Sequence, residues 1–193
     1  MRLKRAANWF NQTSIYTWDG TTFVDSGVRG NLQVYDRFVS EREFGIKRRM
    51  LLVNPDTPLS GQVIRVGISG PVYLRGEVNR DIQIAEYSLI YLLHLARFTG
   101  QLVELQKSYA ASGMAKGVQD HSLGTFHCDY ERVTFSNSTE FSQVRVTDAT
   151  VTLPAGAPAN AEHEFIVDGK RYVLQEVYTT AGFLQARAQV KNA

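Results

Sequence analysis

Residues Phe165–Tyr178, FIVDGKRYVLQEVY, decide how this chain is read. Phe165 and Val167 point to one side of a short strand and Ile166 to the other, because side chains alternate across a strand. Asp168-Gly169 supplies the dipeptide that tolerates positive φ in a tight hairpin turn. Tyr172, Leu174 and Glu176 then share one face, and Val173, Gln175 and Val177 the other. The pattern is used twice. Residues 66–78 read VGISGPVYLRGEV, and setting Gly70 on Gly169 places Tyr73 on Tyr172, Leu74 on Val173, Glu77 on Glu176 and Val78 on Val177. The shared string G-x-x-Y-[LV]-x-x-E-V recurs 99 positions later, about half the chain, which points to two related β-modules.

The 193 residues are 44% hydrophobic and 21% charged, a balance that can bury a core in one large β-domain or two small ones. A net charge of +2 demands neither a nucleic-acid nor a membrane partner. The single cysteine, Cys128, leaves no intrachain disulfide and fits a reducing compartment. No run approaches the roughly 18 apolar residues of a membrane helix. The basic start, MRLKRAANWF, is followed by NQTS rather than the apolar core of a signal peptide. These features suit a protein made in the cytosol and used there, or released from it in an assembled particle.

The chain divides on composition. Residues 1–12 form an N-terminal arm in which Arg2, Lys4 and Arg5 precede Trp9 and Phe10; its aromatics either tuck onto the first module or dock on a neighbouring subunit. The first β-module spans 13–109. It opens with Ile15-Tyr16-Thr17-Trp18, a two-residue hairpin signal at Asp19-Gly20, and Thr21–Val24. Arg37–Arg49 is a charged loop in which Arg42, Lys47, Arg48 and Arg49 accompany Glu41 and Glu43. Met50–Val53 and Gln62–Ile68 read as strands, with a turn at 79–81. Tyr87–His94, YSLIYLLH, suits either a buried helix or a buried strand. The lack of an N-cap and helical stripe favours strand, turn and strand, with the break at Phe98-Thr99-Gly100. Ala110–Gly117, AASGMAKG, is rich in small residues and reads as a linker. The second β-module, 118–193, offers strands near 125–130, 132–135, 144–146 and 150–153. The loop Pro154–Ala161 precedes the signature hairpin, and Gly182–Val190 forms a last strand. Strands this short with turns this frequent make a mainly β, antiparallel sandwich or barrel.

Reactive side chains gather only at Asp120-His121 and His127-Cys128-Asp129. Their spacing matches no standard zinc pattern. Along a strand His127 and Asp129 share a face and Cys128 takes the other, so a Cys–His nucleophilic pair is not brought within hydrogen-bond reach. Glu162 and Glu164 flank His163 beside a loop, which a charged rim explains. No phosphate-binding, dinucleotide-binding or nucleophile-elbow motif is present. No cofactor or metal is therefore expected, and the chain reads as one that works through strand edges and loops, which can pair with a neighbour.

The run from Val144 to Val190 reads V-x-V-x-D-A-T-V-T-L-P-A, then E-F-I-V-D-G-K-R-Y-V-L-Q-E-V, then G-F-L-Q-A-R-A. It resembles the closing β-barrel of tailed-bacteriophage head–tail joining proteins (connector or neck proteins), with Val167, Asp168, Gly169, Tyr172 and Val173 as the matching residues. VIRVGISGPVYLRGEVNRD and YSLIYLLHLA in the first half are similar in kind. The chain is about twice a single barrel of the smallest joining proteins, and baseplate, tail-terminator and other tail β-proteins share the pattern. The resemblance implies a non-enzymatic virion structural protein, assembled in the host cytoplasm. It would form a homo-oligomeric ring at the head–tail interface, touching a portal or adaptor protein and tail proteins. DNA would pass through the channel without sequence recognition, and no membrane is involved. Two alternatives stand beside it. One is another tail component, a receptor- or carbohydrate-binding module with Trp18 and Tyr16 as its platform. The other is a small Cys/His hydrolase using Cys128 with His127 or His121.

On the connector reading, Trp9, Phe10 and the loop carrying Arg42, Lys47, Arg48 and Arg49 meet neighbouring subunits or the portal. Reversing charge at Arg48 and Arg49 together is then expected to weaken assembly while circular dichroism shows an intact monomer fold. A ring unchanged in native mass would contradict that assignment.

Overall fold

A computed structural model describes residues 12–34, 48–53, 56–78, 89–109, 111–134 and 147–191. Every regular element among them is a strand. Six strands, β1 (Thr13–Trp18), β2 (Phe23–Val34), β3 (Arg48–Val53), β4 (Val63–Val66), β5 (Val72–Val78) and β6 (Leu89–Leu95), close a first barrel in the order β1-β2-β3-β6-β5-β4. Six more, β7 (Phe98–Tyr109), β8 (Ala115–Thr134), β9 (Thr147–Pro154), β10 (Glu164–Val167), β11 (Lys170–Thr180) and β12 (Phe183–Val190), close a second in the order β7-β8-β9-β12-β11-β10. Numbered from its own first strand, each barrel runs 1-2-3-6-5-4. The two modules share one topology, and the repeated string occupies the same place in each, the fifth strand and the turn before it.

The signature hairpin is built as its alternation requires. Phe165 pairs with Tyr172 and Val167 with Lys170. Asp168 (φ 51) and Gly169 (φ 68) make the two-residue loop, the pair of positive φ values that matches strand twist. In the first barrel Ile64 pairs with Tyr73, but five residues, Gly67–Pro71, lie between the paired strands. The repeat is therefore in step along β5 and β11 and offset by two residues along β4 and β10. Tyr73, Tyr172, Ile64 and Phe165 are all buried. Each tyrosine fills its own barrel, with Leu51, Val66 and Leu93 in the first core and Leu102, Val151 and Leu174 in the second.

The two interiors balance volume differently. Ladder register sets Ile15 in β1 at the place that Gly100 holds in β7. The first barrel fills that pair of positions with Ile15 and Ile64. The second uses Phe165 and leaves Gly100 bare, and a Cβ on Gly100 would run into the Phe165 ring. Ala149, Ala186 and Ala188 in the same core make further room for the Phe165 and Tyr172 rings. A six-stranded barrel has little interior space, so one large ring has to be matched by small neighbours.

Several sequence expectations are corrected. The chain divides after Ala96, and the first unit also takes in Ala181–Phe183. The described part of the expected linker 110–117 is the tip of the β7–β8 hairpin, 111–114, and the first residues of β8, all within the second unit. Its glycines, Gly113 (φ 79) and Gly117 (φ 151), serve a turn and a bulge. The true junction, Ala96-Arg97, carries no glycine or proline to mark it. Residues 89–95 form a strand, and the break falls at Ala96-Arg97, so Phe98-Thr99-Gly100 opens β7. Asp19-Gly20 does not make a two-residue turn. Trp18 pairs with Phe23, and the Asp19 carboxylate accepts hydrogen bonds from the Thr21 and Thr22 amides, both at 2.8 Å, holding a four-residue loop. Pro154–Ala161 turns Ala157 and Ala159 into the second barrel's own core. Trp9, Phe10, Arg42, Lys47, the turn at 79–81 and the expected strand at 144–146 lie outside the described residues.

The Gly100–Phe165 fit predicts a coupled pair. Gly100→Ala should lower unfolding free energy by about 1–3 kcal/mol, the usual effect of overpacking. Adding Phe165→Leu should restore part of that loss in urea denaturation. Two losses that simply add would show that the ring is not what excludes the Cβ.

Candidate assembly surface

The reactive cluster of the sequence separates in space. Cys128 is fully buried in the second core, and burial first, then the neighbouring Asp129 charge, pushes its thiol up to about 12. At neutral pH it is protonated and is no nucleophile. Asp129, on the opposite side of β8, is clamped by Arg97, with Nε on Oδ1 at 2.7 Å and Nη2 on Oδ2 at 3.0 Å. Arg97 also reaches Glu131 at 3.1 Å. This fork joins the first residue of the unit to the middle of β8 and has a structural part. His121 lies seven residues from Cys128 on the same strand, about 20 Å at strand rise. Among the described residues no group of three or more His, Cys, Asp or Glu side chains is placed to hold a metal ion.

Glu162 and Glu164 also part company. Glu162 sits exposed in a turn at φ 74. Glu164 is not on a rim but buried on the outer side of β10, opposite in direction to Phe165. Its two oxygens take Arg171 at 2.8 Å and Lys191 at 2.5 Å. Arg171 goes on to grip Asp120 through both terminal nitrogens, at 3.1 and 2.5 Å. The Lys191 amide donates to the Arg171 carbonyl at 2.9 Å. Four side chains from β8, β10, β11 and the end of β12 thus form one alternating chain, Asp120–Arg171–Glu164–Lys191. A buried carboxylate needs such partners, since leaving it unpaired costs several kcal/mol. Arg171 holds the Asp120 carboxyl below its ordinary range.

Asp120 stands where β7 and β8 leave the barrel. The ladder between them runs on from Glu104–His121 through Leu105–Asp120, Gln106–Gln119, Lys107–Val118 and Ser108–Gly117 to Tyr109–Ala115. β10 pairs with β7 only at Gln101–Val103, and β9 pairs with β8 only from Asp129 onward. Among the described residues, neither outer edge of this ribbon, 104–109 or 115–121, has a strand beside it. Opposed residues share a face, so Leu105, Lys107, Tyr109, Val118 and Asp120 lie on one side, continuous with the outer surface that carries Arg171. Glu104, Gln106, Ser108, Gln119 and His121 lie on the other. There Gln106 donates to Glu104 at 3.1 Å, and the Ser108 hydroxyl to the Gly117 carbonyl at 3.2 Å. Seven large apolar side chains are exposed among the described residues, and four are on this ribbon and its tip: Leu105 (38%), Tyr109 (63%), Met114 (71%) and Val118 (59%). Apolar surface concentrated this way marks contact sites.

The remaining candidates fall elsewhere. Asp168 and Gly169 are turn residues. The Tyr130 hydroxyl donates to Asp168 at 2.9 Å, which ties the turn to β8, and Tyr172 is core. Arg48 and Arg49 begin β3, opposite His94 and Leu93. Trp18 packs on Phe23 at 4.9 Å with the Arg65 guanidinium 4.0 Å above that ring, so the hairpin itself occupies the aromatic platform. The Glu164–Arg171 contact was readable as a diagonal pair of the Asp168-Gly169 hairpin. Asp120 was not readable, because it is 51 positions from Arg171. Comparison with protein-family models, curated proteins and solved structures finds no match.

Arg171→Met should destabilise the second unit by about 1–3 kcal/mol at neutral pH, the range for losing hydrogen bonds to a buried carboxylate. Asp120 titrates below its unfolded value. Its share is therefore present above the ordinary carboxylate pKa and lost as pH falls through the lowered folded one. The gap between variant and parent in denaturant titrations should narrow in acid; a pH-independent gap would contradict the ion chain. Cys128 should resist iodoacetamide at neutral pH until the protein unfolds.

Proposed function

We propose that this chain is a structural protein of a tailed-bacteriophage particle that forms a ring at the head–tail interface, joining portal to tail around the DNA channel. The observation that carries the reading is the β7–β8 ribbon, a hairpin tied at its root by the Asp120–Arg171 ion pair, whose outer edges have no strand beside them among the described residues and which exposes apolar side chains. An element of that kind gains stability only by meeting another chain. The resemblance of Val167, Asp168, Gly169, Tyr172 and Val173 to head–tail joining proteins supports the same reading, and those residues lie on the hairpin between the fourth and fifth strands of the second barrel. In this role the closed barrels are the rigid bodies of the subunit and the ribbon is its contact device. A net charge of +2 gives DNA little to adhere to as it passes. Copies related by a closing rotation would be joined through heterologous contacts.

The test is native mass against concentration, with negative-stain images, for the purified chain alone and with the portal of its phage. Closed rings of one stoichiometry are expected in at least one of the two. A chain that remains monomeric in both would overturn the reading.

A further inference from the structure

We infer that the β7–β8 ribbon pairs edge to edge with the ribbon of a second copy of this chain, the β7 edge of one copy against the β8 edge of the next. This deepens the ring reading and rests on it. Three observations lead there. First, the ribbon offers two edges and both lack a strand neighbour among the described residues, 104–109 on one side and 115–121 on the other. A two-stranded ribbon with two open edges is marginal in water by itself. Strand addition to one edge would leave the other open, whereas head-to-tail addition satisfies both in every copy.

Second, direction is right for it. β7 and β8 are antiparallel, so copies turned about a common axis set the β8 of one beside an antiparallel β7 of the next. The result is a continuous antiparallel sheet with the closure that a cyclic ring requires. Third, the faces match. Alternation keeps the apolar residues Leu105, Tyr109 and Val118 on one side and Gln106, Ser108 and Gln119 on the other. A sheet made by repeating the unit would hold one apolar and one polar face throughout, and a one-residue slip would break that pattern. Charge does not oppose the pairing. Among the described side chains the apolar side carries one cation and one anion, Lys107 and Asp120, so these do not form a single-signed patch that would repel an identical copy. The ion pair from Asp120 to Arg171 fixes each ribbon at its root, which presets the direction in which the edge is offered.

Two single-cysteine proteins test this in a Cys128→Ala background, one carrying Gln106→Cys on the β7 edge and the other Gln119→Cys on the β8 edge. The probe is a short bifunctional maleimide. Head-to-tail pairing predicts covalent dimers in the mixture and little from either protein alone. Linking within either protein alone would mean two-fold ribbon pairing and would overturn the inference. Rings seen by microscopy without linking in the mixture would overturn it while leaving the ring reading intact. Absence of both would overturn both. In the parent chain, Tyr109→Asp with Val118→Asp should shift native mass to that of the monomer, with the circular dichroism spectrum unchanged.

Discussion

Closure of each sheet on itself is the constraint from which the rest follows. β1 meets β4 and β7 meets β10, and with those two ladders each six-stranded sheet is closed. Closure removes the aggregation hazard of open strands from the bodies of both barrels. It also makes the interior small and non-negotiable. One tyrosine on the fifth strand enters each core, and the other positions adjust around it. In the second barrel the Phe165 ring displaces any side chain at position 100, whereas in the first two isoleucines share the equivalent space. The same topology thus accommodates two different packings, as expected when total volume and patterning are kept and individual residues are free to trade.

Much of this was legible in the chain. Asp168-Gly169 between alternating strands reads as a two-residue hairpin and is one, although the same dipeptide at Asp19-Gly20 is not, and the recurrence of Tyr73, Glu77 and Val78 at Tyr172, Glu176 and Val177 pointed to the second module. Alternation of Phe165 and Val167 against Ile166 separated the two faces of β10, and the structure shows that the Phe165–Val167 face is the one in the core. Topology was less accessible. The return of the sixth strand to lie beside the third is a non-local pairing that no dipeptide announces. The domain boundary was misplaced for a physical reason. Glycine and alanine serve hairpin tips and linkers equally well, so AASGMAKG looks the same in both roles, while the real junction is a short link between two strands that needs no special residue.

The candidate surface was hidden for a related reason. Exposure of Tyr109, Met114 and Val118 depends on β7 and β8 outrunning their neighbours, which is a matter of ladder lengths and not of residue type. The ion chain at the ribbon's root combines a readable half, the diagonal Glu164–Arg171 pair, with an unreadable one, the long-range reach to Asp120. Closed barrels and an open ribbon are complementary solutions to one problem. On the proposed ring reading, strand edges are kept out of reach except where a partner copy is wanted, and among the described residues of the second barrel the β7–β8 hairpin carries edges with no strand beside them.

The most direct measurement of the central claim is an electron cryo-microscopy map of the tailed-phage particle in which the proposed role would place the chain, at a resolution that separates strands. The account predicts tandem-barrel subunits in a closed ring at the junction of head and tail, with their hairpin ribbons joined in one sheet. A map in which that ring is built from other chains, with the tandem barrels at the distal tip of the tail or absent from the particle, would contradict it.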